Sequence, residues 1–150
     1  MTDRDRLIFV LGLMGAAGAG HSGRKLMDHL LGTYDLLSEA GCAPEVCLAG
    51  GLHSIYGTNV FRTVSTVERG PVRETFGERA ERLAWLFCNV NRPRGLDDGR
   101  LVDWQTKDSV TVDDATLHDL RMIEAANLLE QGESLARFPR VEKAWRGQCH

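Results

Sequence analysis

Four prolines, two tyrosines and three tryptophans among 150 residues leave this sequence few rigid landmarks, and its four cysteines are too scattered to supply others. Those cysteines, at 42, 47, 88 and 149, form no Cys-x-x-Cys pair, which excludes the common zinc-ribbon and redox spacings. Two of them lie in apolar helical patterns, and all read as reduced thiols of a cytoplasmic protein. Neither sign of charge dominates: 18 Lys and Arg against 21 Asp and Glu give a formal net charge of -3. The charges are interspersed, so there is no basic face for nucleic acid and no acidic tail. The longest apolar run, Leu7 to Gly20, is rich in glycine and shorter than the roughly 20 residues that a membrane span needs. The leader before it balances Asp3 and Asp5 against Arg4 and Arg6, unlike a signal peptide. These absences leave a small-molecule substrate or ligand as the partner, with no nucleic acid and no membrane; the oligomeric state is left open.

What is present is helical patterning in a chain of 43% hydrophobic content, long enough for one core. A first helix is expected from residue 4 to about 17, apolar most of the way round and therefore set against the core on several sides. Gly18-Ala19-Gly20-His21-Ser22-Gly23 should break it; this cluster lacks the Gly-Lys-Ser/Thr ending of a phosphate loop and follows no strand. Apolar positions 26, 27, 30, 31, 34 and 37 predict a second helix from Arg24 to Ala40, stopped by Gly41. Pro44 opens a third that Gly57 closes. Residues 58–70 read as a loop, Pro71–Gly77 as a short helix, and Glu78–Val90 as a longer one ended by the polar stretch around Pro93. After the Asp97-Asp98-Gly99 turn, Arg100–Gln105 and Ser109–Thr111 are expected to pair as a small β-hairpin. Thr111 with Asp114 forms a capping pattern for a helix to Gln131, and Phe138–Trp145 makes a last short one. The expected class is all-α: one domain over 1–150, with five or six helices, a core over about 5–131 and a C-terminal helix and tail over 133–150.

Chemistry concentrates on Leu52-His53-Ser54-Ile55-Tyr56-Gly57-Thr58. Ala49 and Gly50 precede His53 by four and three residues on one helix face, so another backbone can approach and the imidazole turns inward. His29 falls on the inward side of the second helix with Leu26, Leu30 and Thr33. A buried imidazole needs hydrogen-bond partners or a metal, and these two are either core histidines satisfied by backbone or by the Ser54, Thr33 and Tyr56 hydroxyls, or the centre of a pocket. Tyr56, three residues after His53, suits proton transfer beside it, phenol as acid and imidazole as base. His21 offers a third imidazole, and Ser54, Thr58 and Arg24 are candidate ligand contacts. His118 and Asp119 read as exposed, and Trp104 as packing or the roof of a pocket.

The order of four stretches resembles the HD-domain superfamily, nearest to the hydrolase domain of guanosine tetraphosphate synthetase/hydrolases. His21-Ser22-Gly23 followed by His29 is similar to the segment before its first metal-binding histidine. Leu48-Ala49-Gly50-Gly51-Leu52-His53 is similar to the run ending in its His-Asp pair, Arg73–Leu83 to its Glu-x-Phe-Gly helix, and Met122–Leu129 to the helix of its last metal-binding aspartate. Gly-Leu-His-Ser-Ile-Tyr-Gly-Thr also resembles an uncharacterised family of small proteins related to this superfamily. The superfamily resemblance implies a helical scaffold on which histidines and carboxylates hold a divalent metal for phosphoester hydrolysis. It places His29, His53 and Asn127 at metal-binding positions. Ser54 and Asn127 stand where that family carries aspartates. Loss of two carboxylates leaves imidazoles and an amide, suited to a transition ion such as Zn, Fe, Co or Mn rather than magnesium, or to no metal at all. Glu124, three residues before Asn127 on the same face, can supply a carboxylate. The expected function is a small-molecule enzyme, either weakly metal-dependent in phosphoester hydrolysis or metal-free in elimination, isomerisation or cyclisation. The alternative is a degenerate domain that binds a nucleotide, another small ligand or a protein.

Overall fold

A computed structural model describes residues 1–14, 20–57 and 67–148, with backbone only for 20–25. Among the described residues the chain is all-α, with eight helices: α1 (Asp3–Leu13), α2 (Gly20–Glu39), α3 (Pro44–Gly51), α4 (Arg69–Phe76), α5 (Glu78–Asn89), α6 (Arg94–Asp98), α7 (Asp114–Glu130) and α8 (Pro139–Gly147). None of them is long and apolar enough to cross a membrane.

The first helix starts where Thr2 and Asp5 form a reciprocal capping box. It does not sit inside the core as its composition suggests. Leu7 and Leu11 are buried on one stripe, while Phe9 and Leu13 are 59% and 73% exposed. A helix lying on the outside of a bundle buries only positions one turn apart, and apolar residues off that stripe stay in water. The second helix begins at Gly20, four residues before the expected start, so Gly20–Gly23 are helical and do not break the chain. Its buried stripe, Leu30, Thr33 and Leu37, packs on α3.

Every residue of α3 from Val46 to Gly51 is buried. Its small residues admit side chains, not a second backbone: a β-carbon at Gly50 would strike Leu37, and one at Gly51 would strike Leu7. Here α3 is sandwiched between α1, α2, α5 and α7, and its last turn is fixed at the centre of the molecule. The α5 stripe Ala80, Leu83, Ala84 and Phe87 closes that centre; burying a side chain such as Phe87 contributes about 2–3 kcal/mol.

The α7 helix is capped by Asp113, whose carboxylate accepts from the Thr116 amide at 2.8 Å, in place of the expected Thr111. Residues Met122 to Leu128 are buried all the way round, because α2, α3 and α5 pack on one side and α6 and α8 on the other. A third apolar cluster, Ala125, Leu128, Leu135, Phe138 and Val141, fastens α8 to it. The expected hairpin is reduced to isolated antiparallel bridges, Val90 with Asp103 and Val102 with Ser109. Asp103 accepts from the amides of Gln105 and Thr106, which turns the chain before a ladder develops. The short α6 was not anticipated; it is a single turn seated on α7 and α8.

Candidate functional site

Two helices and a turn bring polar atoms together at the centre of the fold. From α2 comes His29 and from α7 Asn127, while His53 lies in the turn that follows α3, which ends at Gly51 rather than at the expected Gly57. The Nε2 atom of His29 lies 3.3 Å from Nε2 of His53 and 2.8 Å from Oδ1 of Asn127. The imidazole rings meet edge-on, with centroids 5.0 Å apart.

Proton positions follow from the fixed partners. The Nδ1–H of His53 donates to the carbonyl of Gly50 at 2.6 Å, and a carbonyl oxygen only accepts. Burial holds the His53 pKa down at about 3; the Gly50 bond raises it, but His29 and Arg92 lower it further. The ring is therefore neutral at pH 7, with a lone pair on Nε2. On His29, Nδ1–H donates to the Glu130 carboxylate at 2.6 Å, a short charge-assisted contact. The amide of Asn127 is oriented by Glu124: Nδ2 donates to Oε2 of that carboxylate at 2.9 Å, so Oδ1 must face the histidines. Glu124 is itself clamped by Arg92 through bonds of 2.7 and 2.8 Å. The Arg92 guanidinium also lies over the Phe87 ring, which packs edge-on against His53.

The result is a convergence of acceptors. Lone pairs of His53 Nε2 and Asn127 Oδ1 point toward His29 Nε2, which either carries a proton or presents a third lone pair. Three bare lone pairs at these distances repel one another. A proton shared between two of the three atoms removes that repulsion, and His29 Nε2 and Asn127 Oδ1, 2.8 Å apart, stand at hydrogen-bond distance. Gln131, exposed just past the end of α7, reaches the rim with Nε2 at 3.4 Å from both His29 Nε2 and Asn127 Oδ1. Glu130 can approach His29 because Gly32 lacks a side chain; a β-carbon there would lie 2.8 Å from Cγ and Oε2 of Glu130.

The expected residues divide into two groups. His29, His53 and Asn127 meet directly, and Glu124 joins them through Asn127 rather than by facing the histidines. Ser54 follows His53, and its Oγ is buried without a hydrogen-bond partner. Tyr56 is directed to another cluster. Its hydroxyl donates to Glu81 at 2.9 Å, where Arg69 also pairs through two bonds of 2.9 and 3.0 Å, and burial followed by the Glu81 bond raises its pKa. Trp104 donates to the Cys88 carbonyl and is a packing residue. His118 and Asp119 are partly buried, with Asp119 paired to Arg79. The side chains of His21 and Arg24, and all of Thr58, lie outside the described residues.

Three participants were not anticipated. Glu130 was legible in principle, since it follows Asn127 by three residues on the same face. Gln131 follows by four. Arg92 left no signal, because it lies in an irregular segment 32 residues before its partner. Among the described residues no three His, Cys, Asp or Glu side chains gather as they would for a metal ion; the third donor here is an amide.

Against known proteins, a family model described as a domain of unknown function (DUF6817) matches residues 10–92, more than half of the chain. No curated protein and no solved structure matches it. The matched span contains His29, His53 and Arg92 and ends before the helix that carries Glu124, Asn127 and Glu130.

Proposed function

This chain belongs to the DUF6817 family, and from that premise we propose that it is an enzyme acting on a small molecule at the convergence of His29, His53 and Asn127. The observation that carries this reading is the anchoring of both imidazoles. Each gives its Nδ1–H to a fixed acceptor, Glu130 or Gly50, and turns Nε2 to the common point. Metal-binding histidines are oriented in this way, and outer carboxylates raise their basicity. Two nitrogens at about 2.0–2.1 Å from one ion, at a tetrahedral angle, stand about 3.4 Å apart; the observed separation is 3.3 Å. The imidazole pair therefore fits a borderline divalent ion such as zinc, iron or cobalt better than magnesium or manganese, and Asn127 Oδ1, 2.8 Å from His29 Nε2, would have to draw back by about 0.5 Å to join as a third ligand.

His29, His53 and Asn127 would hold such an ion, which supplies Lewis acidity toward a phosphoryl or carbonyl oxygen. Glu130 keeps His29 in the required tautomer. Glu124 and Arg92 keep the Asn127 oxygen turned inward. The orphaned hydroxyl of Ser54 is a polar atom ready for a ligand or a water molecule, since a buried unpaired hydroxyl costs about 1–3 kcal/mol. The resemblance to HD-domain phosphohydrolases supports phosphoester hydrolysis as the reaction.

A second reading draws on the 2.6 Å contact between His29 and Glu130. In the absence of a metal the pair is a carboxylate–imidazole dyad, with the His29 side chain 17% exposed, and His29 serves as the general base for a proton-transfer reaction. Cobalt(II) titration separates the two. The metal reading expects a saturable visible absorption band from an ordered site, lost in His53→Ala and His29→Ala variants that keep their helical circular dichroism. No band, together with no metal by elemental analysis of the purified protein, refutes it and leaves the dyad.

A further inference from the structure

A second feature lies away from the histidines, where α7 and α8 face each other across an open cleft of about 560 Å³. Position 118 and position 121 are one turn apart on α7; 140, 143, 144 and 147 make one stripe of α8. The side chains they place along the cleft are His118, Arg121, Arg140 and Lys143, with Ala144 and Gly147 between them leaving the space. Among the described residues no carboxylate lines it, although Asp97 and Asp98 stand near enough to act on Arg121. In a chain of net charge -3 this is a local reversal of sign.

The guanidinium groups are held rather than floating. Arg121 donates from Nε to the Leu96 carbonyl at 2.7 Å and from Nη2 to the Asp97 carbonyl at 3.0 Å, and Arg140 donates from Nη1 to the Asp98 carbonyl at 3.1 Å. These bonds use the carbonyls at the end of α6, a satisfactory structural role for one face of each group. The nearby acids are committed to the backbone: Asp97 Oδ1 accepts from the amides of Arg140 and Val141, and Asp98 Oδ1 from that of Arg100. Partial burial, followed by the proximity of Arg140, lowers the Arg121 pKa despite those acids. Two like charges pinned side by side, with Lys143 one turn further on, are a pre-organised cradle for an anion.

We infer that the α7–α8 cleft binds the phosphate groups of a small phosphorylated molecule, with Arg121, Arg140 and Lys143 as its contacts. The volume suits a nucleotide-sized ligand. This site is independent of the histidine centre, and neither reading depends on the other.

The test is calorimetric titration of the full chain with inorganic pyrophosphate at physiological salt, alongside Lys143→Glu. Lys143 is an exposed residue of α8, so its substitution leaves the fold intact by circular dichroism. Saturable one-to-one binding that weakens at least about tenfold in Lys143→Glu, as expected for loss of one charge-assisted contact, supports the assignment. Chemical shift changes confined to α7 and α8 in a parallel NMR titration place it. No saturation in the millimolar range, binding unchanged by Lys143→Glu, or shifts centred on His29 and His53 would overturn it. Vesicles carrying phosphorylated headgroups serve as the other source of the same chemistry: binding to them without binding to soluble pyrophosphate also overturns it.

Discussion

Replacing Arg92 by leucine removes the counter-charge from a carboxylate that water cannot reach. The Glu124 side chain is 0% exposed and that of Arg92 7%, joined by bonds of 2.7 and 2.8 Å. Breaking a buried pair from one side costs about 3–5 kcal/mol, because the remaining charge is stranded. That is a large part of the roughly 5–15 kcal/mol that holds a typical domain. At about 2–4 °C per kcal/mol for a chain of this size, the melting temperature should fall by roughly 6–20 °C. Removing both charges is a different perturbation. Arg92→Met with Glu124→Met should be neutral or stabilising by about 1–4 kcal/mol, yet it takes away the acceptor that orients Asn127. Because the buried Nδ2 of Asn127 also loses its acceptor, at about 1–3 kcal/mol, the double variant should melt near the parent and well above Arg92→Leu, and bind cobalt(II) about 10–100-fold more weakly, the usual cost of losing an outer partner. Thermal unfolding by far-UV circular dichroism reads the first effect and the cobalt titration the second. An Arg92→Leu protein within about 1 kcal/mol of the parent, the range of an exposed pair, would refute the burial of this clamp. A double variant with full cobalt affinity would refute its orienting role.

Gly32→Ala places a β-carbon where Glu130 now rests, so it should free His29 Nδ1 and weaken cobalt(II) binding while helical stability, aided by up to about 1 kcal/mol of propensity, is kept; unchanged affinity would count against Glu130 as an anchor. In the metal-free protein the folded His53 pKa of about 3 lies below the unfolded value of 6.5. The unfolded chain therefore binds a proton first as pH falls: this stability is complete above about 6.5 and is lost toward 3, amounting to on the order of 5 kcal/mol. His53→Gln should flatten the melting-temperature profile over that window, and parallel profiles would refute the assignment. Tyr56→Phe removes one donor from Glu81, costing about 1 kcal/mol, and should leave cobalt(II) affinity unchanged; a loss comparable to that of His53→Ala would bring Tyr56 back to the centre.

Much of the fold could be read from spacing, and the exceptions have physical causes. The helical repeats at 26, 30 and 37 and at 80, 83, 84 and 87 located α2 and α5 because each turns one stripe to the core and leaves the opposite face to water. Composition misled for α1, since an apolar residue such as Phe9 gives no sign of whether a partner lies opposite it. The glycines at 20 and 23 continue a helix that their propensity disfavours; packing elsewhere on α2 outweighs a cost of about 1 kcal/mol each. Within the site, His29, His53 and Asn127 were found together through a resemblance and inward-facing registers. Choosing between Glu124 and Glu130 was beyond periodicity, because residues three before and three after Asn127 share its face equally. Only the position of Arg92, delivered by an irregular segment, makes the first an orienting group and leaves the second free for His29.

The division of labour between those acids gives the site its character. Positions 54 and 127, where the resembling family carries aspartates, are neutral here, so among the described residues no carboxylate touches the point of convergence. Charge is kept one bond further out. Glu124 is neutralised by Arg92 and contributes direction, by fixing the amide of Asn127. Glu130 has no such partner among its described contacts; it meets His29 alone and contributes charge, by drawing on Nδ1–H and making Nε2 more basic. On the proposed metal reading, a centre of neutral donors with its negative charge displaced outward would favour ions that accept imidazole nitrogen over hard cations. It also holds its donors rigidly, since each lone pair is aimed by a buried partner rather than by the ligand.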